Sequence, residues 1–297
     1  GYKCHRRSSF LCGMRCLRWD HGRSGRFFIY DGDKHVLMFP FIVICGKAVP
    51  VYSIMMITGA LCAALWVKLT ERKRELEQAD VELTLIYSSV GALAGAKLLY
   101  ILTIADGFKA DLIKLITDPG YFSGEFLQKY FYGGYVFYGG LIGAVAAAVI
   151  YCHIERIDID EMSRWVMPVL PLVHAFGRIG CFCMGCCYGI RADHFGLTFY
   201  RSPIAPNGVP LVPVQLMEAG AEFILFVVMA CMAIRGERGR SITALWLVCY
   251  GITRFLLEFL RGDAYRGFVG ALSISQVISL FIMGAGITLM MKNKRVI

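Results

Sequence analysis

The chain has 297 residues, of which 57% are hydrophobic and only 18% are charged, and its formal net charge is +9 at pH 7. This composition is too apolar for an ordinary soluble domain. In so apolar a chain, excess positive charge is typical of cytoplasmic loops and of contact with anionic lipid headgroups, so a nucleic-acid partner is not expected.

The first 35 residues are basic and lack the apolar core of a signal peptide. We expect residues 1–35 to be a disordered or non-native extension, and residues 36–297 to form a single membrane domain. Cys4, Cys12 and Cys16 lie in the extension at a spacing that matches no standard metal-ligand pattern.

Seven stretches after residue 50 approach or exceed the roughly 18 mostly apolar residues that a helix needs to cross a bilayer. They are residues 51–67, 83–105, 136–154, 165–190, 212–234, 241–260 and 268–291. The sequence therefore predicts an all-α polytopic membrane protein of about seven transmembrane helices, preceded by a short extracytoplasmic N-terminal arm.

Lysine and arginine are shared unequally between the two sets of connecting loops. Twelve fall in alternate loops and the C-terminal tail, and seven fall in the longer loops between them. Because cytoplasmic loops collect these residues, we expect the C-terminus to be cytoplasmic.

The third span opens with an aromatic residue and two glycines, Tyr138, Gly139 and Gly140. Aromatic side chains favour the membrane interface, so the pattern alone gives Tyr138 no special role.

In the fourth span His174, Arg178 and Cys181 are spaced by four and three residues, which places them on one helix face. A cation inside the bilayer costs about 2.5–3.5 kcal/mol on insertion scales, so Arg178 is expected to face a partner or a cavity. The planar guanidinium suits phosphate, because it can bind two oxygens at once. His174 has two interpretations, a satisfied structural residue or a direct role in chemistry.

Four cysteines stand at the end of this span, at positions 181, 183, 186 and 187. On a continuous helix their side chains would point in several directions, whereas a tetrahedral metal site needs converging ligands. We therefore expect no metal site and no cofactor. Packing of small residues is the favoured interpretation, with thiol chemistry and metal binding as the alternatives.

In the sixth span Tyr250, Arg254, Glu258 and Arg261 follow one another at intervals of four, four and three, again on one face. Glu258 can pair with Arg254 and leave part of the guanidinium for an anionic ligand. A purely structural ion pair is the alternative, but two arginines with one carboxylate leave an excess of positive charge.

Five segments, in colinear order, resemble those of the prolipoprotein diacylglyceryl transferases of bacterial inner membranes. The family has a His before Gly-Gly-Leu, the pattern Gly-Arg-x-Gly-Asn-Phe-x-Asn-x-Glu, and the runs Pro-Ser-Gln-Leu-Tyr-Glu, Tyr-Gly-x-x-Arg-Phe-x-x-Glu-x-x-Arg and Ser-Met-Gly-Gln. The similar segments here are residues 137–143, 177–189, 213–218, 250–261 and 272–276. With the arm at residues 39–52, the resemblance covers residues 39–291.

The resemblance implies an enzyme that transfers the diacylglyceryl group of phosphatidylglycerol to the lipobox cysteine thiol of a prolipoprotein signal peptide, releasing glycerol phosphate. It also implies a multi-pass protein of the bacterial inner membrane, in contact with membrane lipid.

The resemblance implies roles for several residues as well. Arg178 would hold the phosphate, Arg254 would support the leaving group, and Glu258 would orient Arg254. The residues implied to shape the cavity or contact the substrate are Tyr52, Gly139, Gly140, Gly189 and Arg261.

The sequence departs from the family pattern at the positions that the resemblance implies for proton transfer and for the acceptor thiol. Tyr138 replaces the family's His, Cys181 replaces the first Asn, Met184 the second Asn, and Cys186 the Glu. A tyrosine with a pKa of about 10 is a poor base at pH 7. His174, one turn before Arg178, is the replacement base that we predict, so the predicted catalytic set is Arg178, Arg254, Tyr138 and His174.

Two other functions fit the same residues. The first alternative is a family relative with the same phospholipid site and another acceptor. The second is a non-catalytic lipid-binding or cysteine-dependent membrane protein. The second arginine separates the non-catalytic alternative from a transferase, because a protein that only bound lipid would not need Arg254 beside Arg178.

Overall fold

The computed structural model describes residues 40–44, 47–117, 126, 130, 135–192, 195–200, 202–263 and 267–294. The extension predicted at residues 1–35 lies outside the described residues. Leu37–Ile297 cluster as one unit.

Helices account for most of this unit. In chain order they are α1 (Val51–Thr70), α2 (Gln78–Thr103), α3 (Ala105–Thr117), α4 (Phe137–Ile154), α5 (Ile159–Val166), α6 (Val169–Met184), α7 (Val214–Ile234), α8 (Gly239–Glu258) and α9 (Ile274–Lys294).

Six helical segments in the described residues are long and apolar enough to cross a membrane, and a seventh, Tyr138–Ile154, is apolar but shorter. One of the six, Ile159–Met184, combines α5 and α6. The two helices are separated at Met167 and Pro168 because proline has no N–H to continue a helical ladder, although it is well tolerated where a helix starts. The predicted all-α polytopic membrane fold is confirmed.

The surface of the helical bundle is apolar and its interior contains charged groups. Leu61, Leu69 and Phe281 are 65%, 71% and 73% exposed, whereas Glu218 and Glu222 are each 2% exposed. This distribution suits a lipid surround, where exposed leucine costs nothing and a carboxylate needs an enclosed partner.

Three short hairpins are present among the described residues. They pair β1 (Phe41–Ile44) with β2 (Lys47–Pro50), β3 (Leu197–Thr198) with β4 (Pro210–Leu211), and β5 (Phe268–Val269) with β6 (Leu272–Ser273). The first hairpin is the predicted N-terminal arm. It leads directly into α1, where the Val51 amide donates to the Pro40 carbonyl at 2.9 Å.

The loops at each end of the bundle are joined to one another. At one end the Ile190 amide donates to the Leu260 carbonyl at 2.8 Å, linking the α6–α7 and α8–α9 connections. At the other end Arg164 donates from Nε to the Glu237 carbonyl at 2.8 Å. We refer to the end that contains Ile190 and Leu260 as the hairpin end.

Glycines let α2 and α4 approach each other at backbone distance. A methyl group built on Gly143 would lie 2.1 Å from the Gly91 carbonyl oxygen, and one on Gly139 would lie 2.4 Å from the Gly95 carbonyl oxygen. Small residues of this kind are how transmembrane helices pack closely.

We expect Gly143→Ala to destabilise the protein by about 1–3 kcal/mol, the usual cost of overpacking, because the obstructing atoms are backbone. Gly220→Ala on α7 is the matched control, since nothing lies within 4 Å of its added methyl. Thermal unfolding in detergent measures both. Equal melting temperatures for the two variants would contradict the close helix contact.

Candidate active site

Helices α6 and α7 place two pairs of polar side chains against each other inside the bundle. His174 and Arg178 are one turn apart on α6, and Glu218 and Glu222 are one turn apart on α7. Arg178 Nη2 lies 2.9 Å from Glu218 Oε1, and His174 Nδ1 lies 3.0 Å from Glu222 Oε1. Residues four apart lie on the same face of a helix, so the two residues of α6 can pair with the two residues of α7 at the same level.

The second arginine lies near the end of α8. Arg254 Nη2 is 3.0 Å from Glu258 Oε2 and donates to Ser275 Oγ of α9 at 3.1 Å. Arg254 is 8% exposed and Glu258 is 3% exposed. A buried ion pair is costly to form and still more costly to break, so this pair holds its geometry rigidly.

Tyr250 connects the two arginine centres. Its ring stacks on Trp246 with centroids 5.0 Å apart and meets His174 edge-on at 5.6 Å. It also lies within electrostatic range of both Arg178 and Arg254. The two guanidinium groups therefore share one buried neighbour.

Each arginine keeps a buried N–H group that is unused by the described part of the chain. Arg178 Nε and Arg254 Nη1 are enclosed and have no hydrogen-bond partner among the described residues. A buried donor without a partner costs about 1–3 kcal/mol, so such groups are retained where a ligand satisfies them. Both point to an anionic or oxygen-rich ligand.

A cavity of about 310 Å³ lies between α7 and α8, next to Tyr250. Glu222 and Tyr250 line it, as do Ile224 and Val228, which are 68% and 43% exposed on the outer surface of the bundle. A polar end and an apolar opening are what an amphipathic lipid requires of its site.

The chain turns sharply after α6. The helix ends at Met184 with Gly185 in the left-handed region at φ 74°, and Cys187 is also left-handed at φ 58°. The Cys186 amide donates back to the Cys181 carbonyl at 3.1 Å. A non-glycine residue at positive φ is uncommon, and it persists where the surroundings fix it.

This turn overturns the expectation that the cysteines diverge. The Sγ atoms of Cys181, Cys186 and Cys187 all lie within 4.8 Å of one another, and each side chain is half-buried. The prediction was wrong for these three because it treated residues 181–187 as one continuous helix. Cys183, which stays on the helix, is not in the group.

Positive charge surrounds the three thiols. Cys187 interacts electrostatically with Arg261 and Arg178, and Tyr52 with Arg178 and all three thiols. Thiols in such surroundings are the reactive and metal-binding ones.

Two carboxylates hold the side chain of Arg261, which lies near the three cysteines. Its Nε donates to Asp263 Oδ1 at 2.9 Å, and its Nη1 is 4.0 Å from Glu258 Oε2. Burial acts to lower the pKa of Arg261, but the Asp263 hydrogen bond and nearby negative groups raise it overall. Gly189 pairs with Arg261 through the backbone, and a methyl on Gly189 would meet the Val212 carbonyl oxygen at 2.4 Å.

The structure thus brings together most of the residues singled out in the sequence. Tyr52 packs on Gly180, where an added methyl would lie 2.9 Å from its ring. Tyr138 is half-buried in the first turn of α4, and Gly139 contributes to the α2–α4 contact. The approach of Tyr138, Gly139 and Gly140 to a substrate stays a prediction.

The sequence analysis missed the part that α7 plays. Glu218 and Glu222 supply the carboxylates for Arg178 and His174, yet the sequence patterns gave neither glutamate a role. Their spacing of four within an otherwise uncharged helix was the available signal, because two carboxylates on one face of a span need buried partners.

Comparisons with known proteins identify the family to which this sequence is similar. A family model described as prolipoprotein diacylglyceryl transferase matches residues 40–292. The phosphatidylglycerol–prolipoprotein diacylglyceryl transferase of Clostridium tetani is 34% identical over 237 residues, covering 80% of this chain and 90% of that protein. One from Clostridium perfringens is 32% identical over 253 residues, covering 84% and 93%, and one from Bordetella parapertussis is 31% identical over 218 residues, covering 71% and 77%.

Proposed function

The chain belongs to the prolipoprotein diacylglyceryl transferase family, and on that premise we propose that it transfers the diacylglyceryl group of phosphatidylglycerol to a cysteine thiol of a prolipoprotein. The acceptor is the lipobox cysteine of the signal peptide. The observation that carries this proposal is the pair of enclosed guanidinium groups, Arg178 and Arg254, each with an unused N–H and both beside Tyr250.

The two arginines suit the two states of the phosphodiester. In the reaction the thiolate sulfur attacks the glyceryl carbon next to the phosphate, the carbon–oxygen bond breaks, and the electron pair stays on the oxygen of the departing glycerol phosphate. Arg178 binds the phosphodiester before the reaction. Arg254, oriented by Glu258 and Ser275, stabilises the negative charge that develops on the leaving group.

The cavity between α7 and α8 gives the lipid a lateral route to Tyr250, which lies within electrostatic range of both arginines. Ile224 and Val228 at its opening suit an acyl chain that remains partly in the bilayer. Glu222 Oε2 is buried at its inner end and accepts no hydrogen bond from the described residues, so it is available to a headgroup hydroxyl. Phosphatidylglycerol carries such hydroxyls.

His174 is better placed to position Glu218 and Glu222 than to act as the base that the sequence predicted. Its Nδ1 faces Glu222 at 3.0 Å and its Nε2 faces Glu218 at 3.9 Å. A base must direct a free lone pair at its substrate, and both ring nitrogens of His174 are directed at carboxylates.

We expect His174→Ala to lower transfer about 10–100-fold, the usual loss when a residue that orients the binding groups is removed. His174→Gln keeps a donor for Glu222 and should recover most of this activity. Steady-state transfer assays on both variants provide the measurement. If Gln is as inactive as Ala, His174 moves a proton after all.

The remaining predicted residues complete the site in this proposal. Tyr52, Gly189 and Arg261 shape its hairpin end, and Tyr138, Gly139 and Gly140 contact the substrate from α4. We place the protein in the bacterial inner membrane with its C-terminus in the cytoplasm. Helix α5, the first turn of α8 and the connection between α7 and α8, which contain Arg164, Arg235, Arg238 and Arg240, meet at the end opposite the hairpins, which fits this orientation.

Complementation tests the proposed function. The chain is expressed in a bacterial strain depleted of its own transferase, and the N-terminal cysteine of a reporter lipoprotein is analysed by mass spectrometry. We expect the mass of a diacylglyceryl group on that cysteine. Membrane-inserted protein with an unmodified reporter cysteine would refute the proposal.

A further inference from the structure

The transfer reaction needs a thiolate, and the residues that the family uses near this step are replaced here. Cys181 and Cys186 stand where the family pattern has Asn and Glu, and His174 is directed at two carboxylates. The acceptor thiol has an ordinary pKa of about 8.5, so most of it is protonated at pH 7. Some other feature of this chain has to favour its deprotonated form.

The three converging cysteines have the geometry of an open metal site. Their Sγ atoms lie within 4.8 Å of one another. Zinc bound to thiolates has zinc–sulfur distances of about 2.3 Å, and movements of less than about 1 Å would bring three such sulfurs to one ion. Catalytic zinc sites use three protein ligands and leave the fourth position for a substrate, whereas structural sites are closed by four.

The backbone around the cysteines is fixed independently of any ion. Gln215 Nε2 donates to the Cys186 carbonyl at 2.7 Å, and the Gly262 amide donates to the Tyr188 carbonyl at 3.0 Å. Cys187 is held in the left-handed region at φ 58°. Strained residues of this kind occur where the side chain must be aimed at a particular point.

The charge balance also suits a metal–thiolate centre. Three thiolates and a divalent ion sum to one negative charge, and the guanidinium groups of Arg178 and Arg261 lie in electrostatic range of Cys187. Cysteine thiolates select soft or borderline ions such as Zn²⁺ over Mg²⁺ or Ca²⁺. The half-buried thiols remain reachable from the hairpin end.

We propose that Cys181, Cys186 and Cys187 bind a zinc ion whose open fourth position receives the acceptor cysteine of the prolipoprotein as a thiolate. The first half concerns metal binding by this chain alone, and the second half rests on the proposed function. The acceptor thiol releases its proton to water on binding. Its sulfur then forms the bond to the glyceryl carbon, the carbon–oxygen bond breaks toward the phosphate, and the neutral thioether leaves the ion as a weaker ligand.

Cobalt is the probe for the site, because tetrahedral Co²⁺ with thiolate ligands absorbs strongly in the near ultraviolet and visible. The full chain is purified in detergent under reducing conditions and titrated with Co²⁺, followed by displacement with Zn²⁺. We expect stoichiometric uptake by the unaltered chain and by Cys183→Ser, the matched control on the same helix. Cys181→Ser, Cys186→Ser and Cys187→Ser should each lose the thiolate bands.

Melting temperatures recorded without metal show whether each variant folds. If folded unaltered protein gives no thiolate–cobalt absorption, or binds cobalt equally well with any of the three cysteines replaced, the metal site is refuted. Mass spectrometry of non-reduced protein addresses the competing outcome. A disulfide between two of the three cysteines, without metal uptake under reducing conditions, would identify a redox pair instead.

The acceptor role has its own readout. A synthetic lipobox peptide should shift the visible cobalt bands, and the same peptide with its cysteine replaced by serine should not. If neither peptide changes the cobalt absorption bands, the acceptor role is refuted but metal binding by the three cysteines is not. Transfer that persists in metal-free protein refutes the zinc step but not the proposed function, whereas a peptide-induced shift without any transfer refutes the function alone.

Discussion

Arg178→Lys should lower diacylglyceryl transfer by about 10²–10³-fold, the loss found when one preorganised donor is removed from a charge-stabilising site. Lysine keeps the positive charge beside Glu218, which lies 2.9 Å from Arg178 Nη2. It cannot at the same time present the N–H that Arg178 Nε leaves unused. The apparent KM for phosphatidylglycerol should rise as well, because the proposed mechanism has Arg178 bind the phosphodiester in the ground state.

The control for this substitution is Arg164→Lys, in the same apolar segment but at the opposite end of the bundle. Arg164 pairs with Glu161 at 2.9 Å and with loop carbonyls, away from the site. Its transfer rate should stay within about two-fold of the unaltered protein, since partly exposed pairs contribute little. Equal loss in both variants would mean that the assay reports membrane insertion and not phosphate binding.

Spacing arguments predicted the spans and the polar helix faces, because both depend on local periodicity. Arg254 and Glu258 are paired as their separation of four predicted. His174 and Arg178 do share a face of α6, and that face is turned toward α7. Periodicity alone, however, does not say which helix supplies the partner, so Glu218 and Glu222 were missed as members of the site.

The arrangement of the cysteines was predicted wrongly for a different physical reason. Gly185 ends α6 in a left-handed conformation, and the following residues fold back over the last turn. A glycine at this point signals a possible helix end, but four glycines in residues 177–189 made the actual end ambiguous. The close contact of three thiols is therefore a consequence of one backbone turn that side-chain spacing does not encode.

Arg254 separates a transferase from a protein that only binds lipid, and Arg254→Lys should lower kcat by about 10²–10³-fold with little change in KM. Arg254 Nη2 faces both Glu258 and Ser275, and in the proposed mechanism Nη1 binds the departing phosphate at the same time. A lysine ammonium is a point charge on a flexible stem, so it can satisfy Glu258 but not all three. Because the effect appears only as charge develops on the leaving group, binding of phosphatidylglycerol should be nearly unchanged.

Two further variants make this result interpretable. Arg254→Met leaves Glu258 buried without its arginine and should destabilise the fold by about 3–5 kcal/mol, so a lost activity there proves nothing about chemistry. Arg240→Lys, at the other end of α8 and 45% exposed in its side chain, should keep both stability and activity. A folded Arg254→Lys protein with full kcat would show that the second guanidinium is structural and does not stabilise the leaving group.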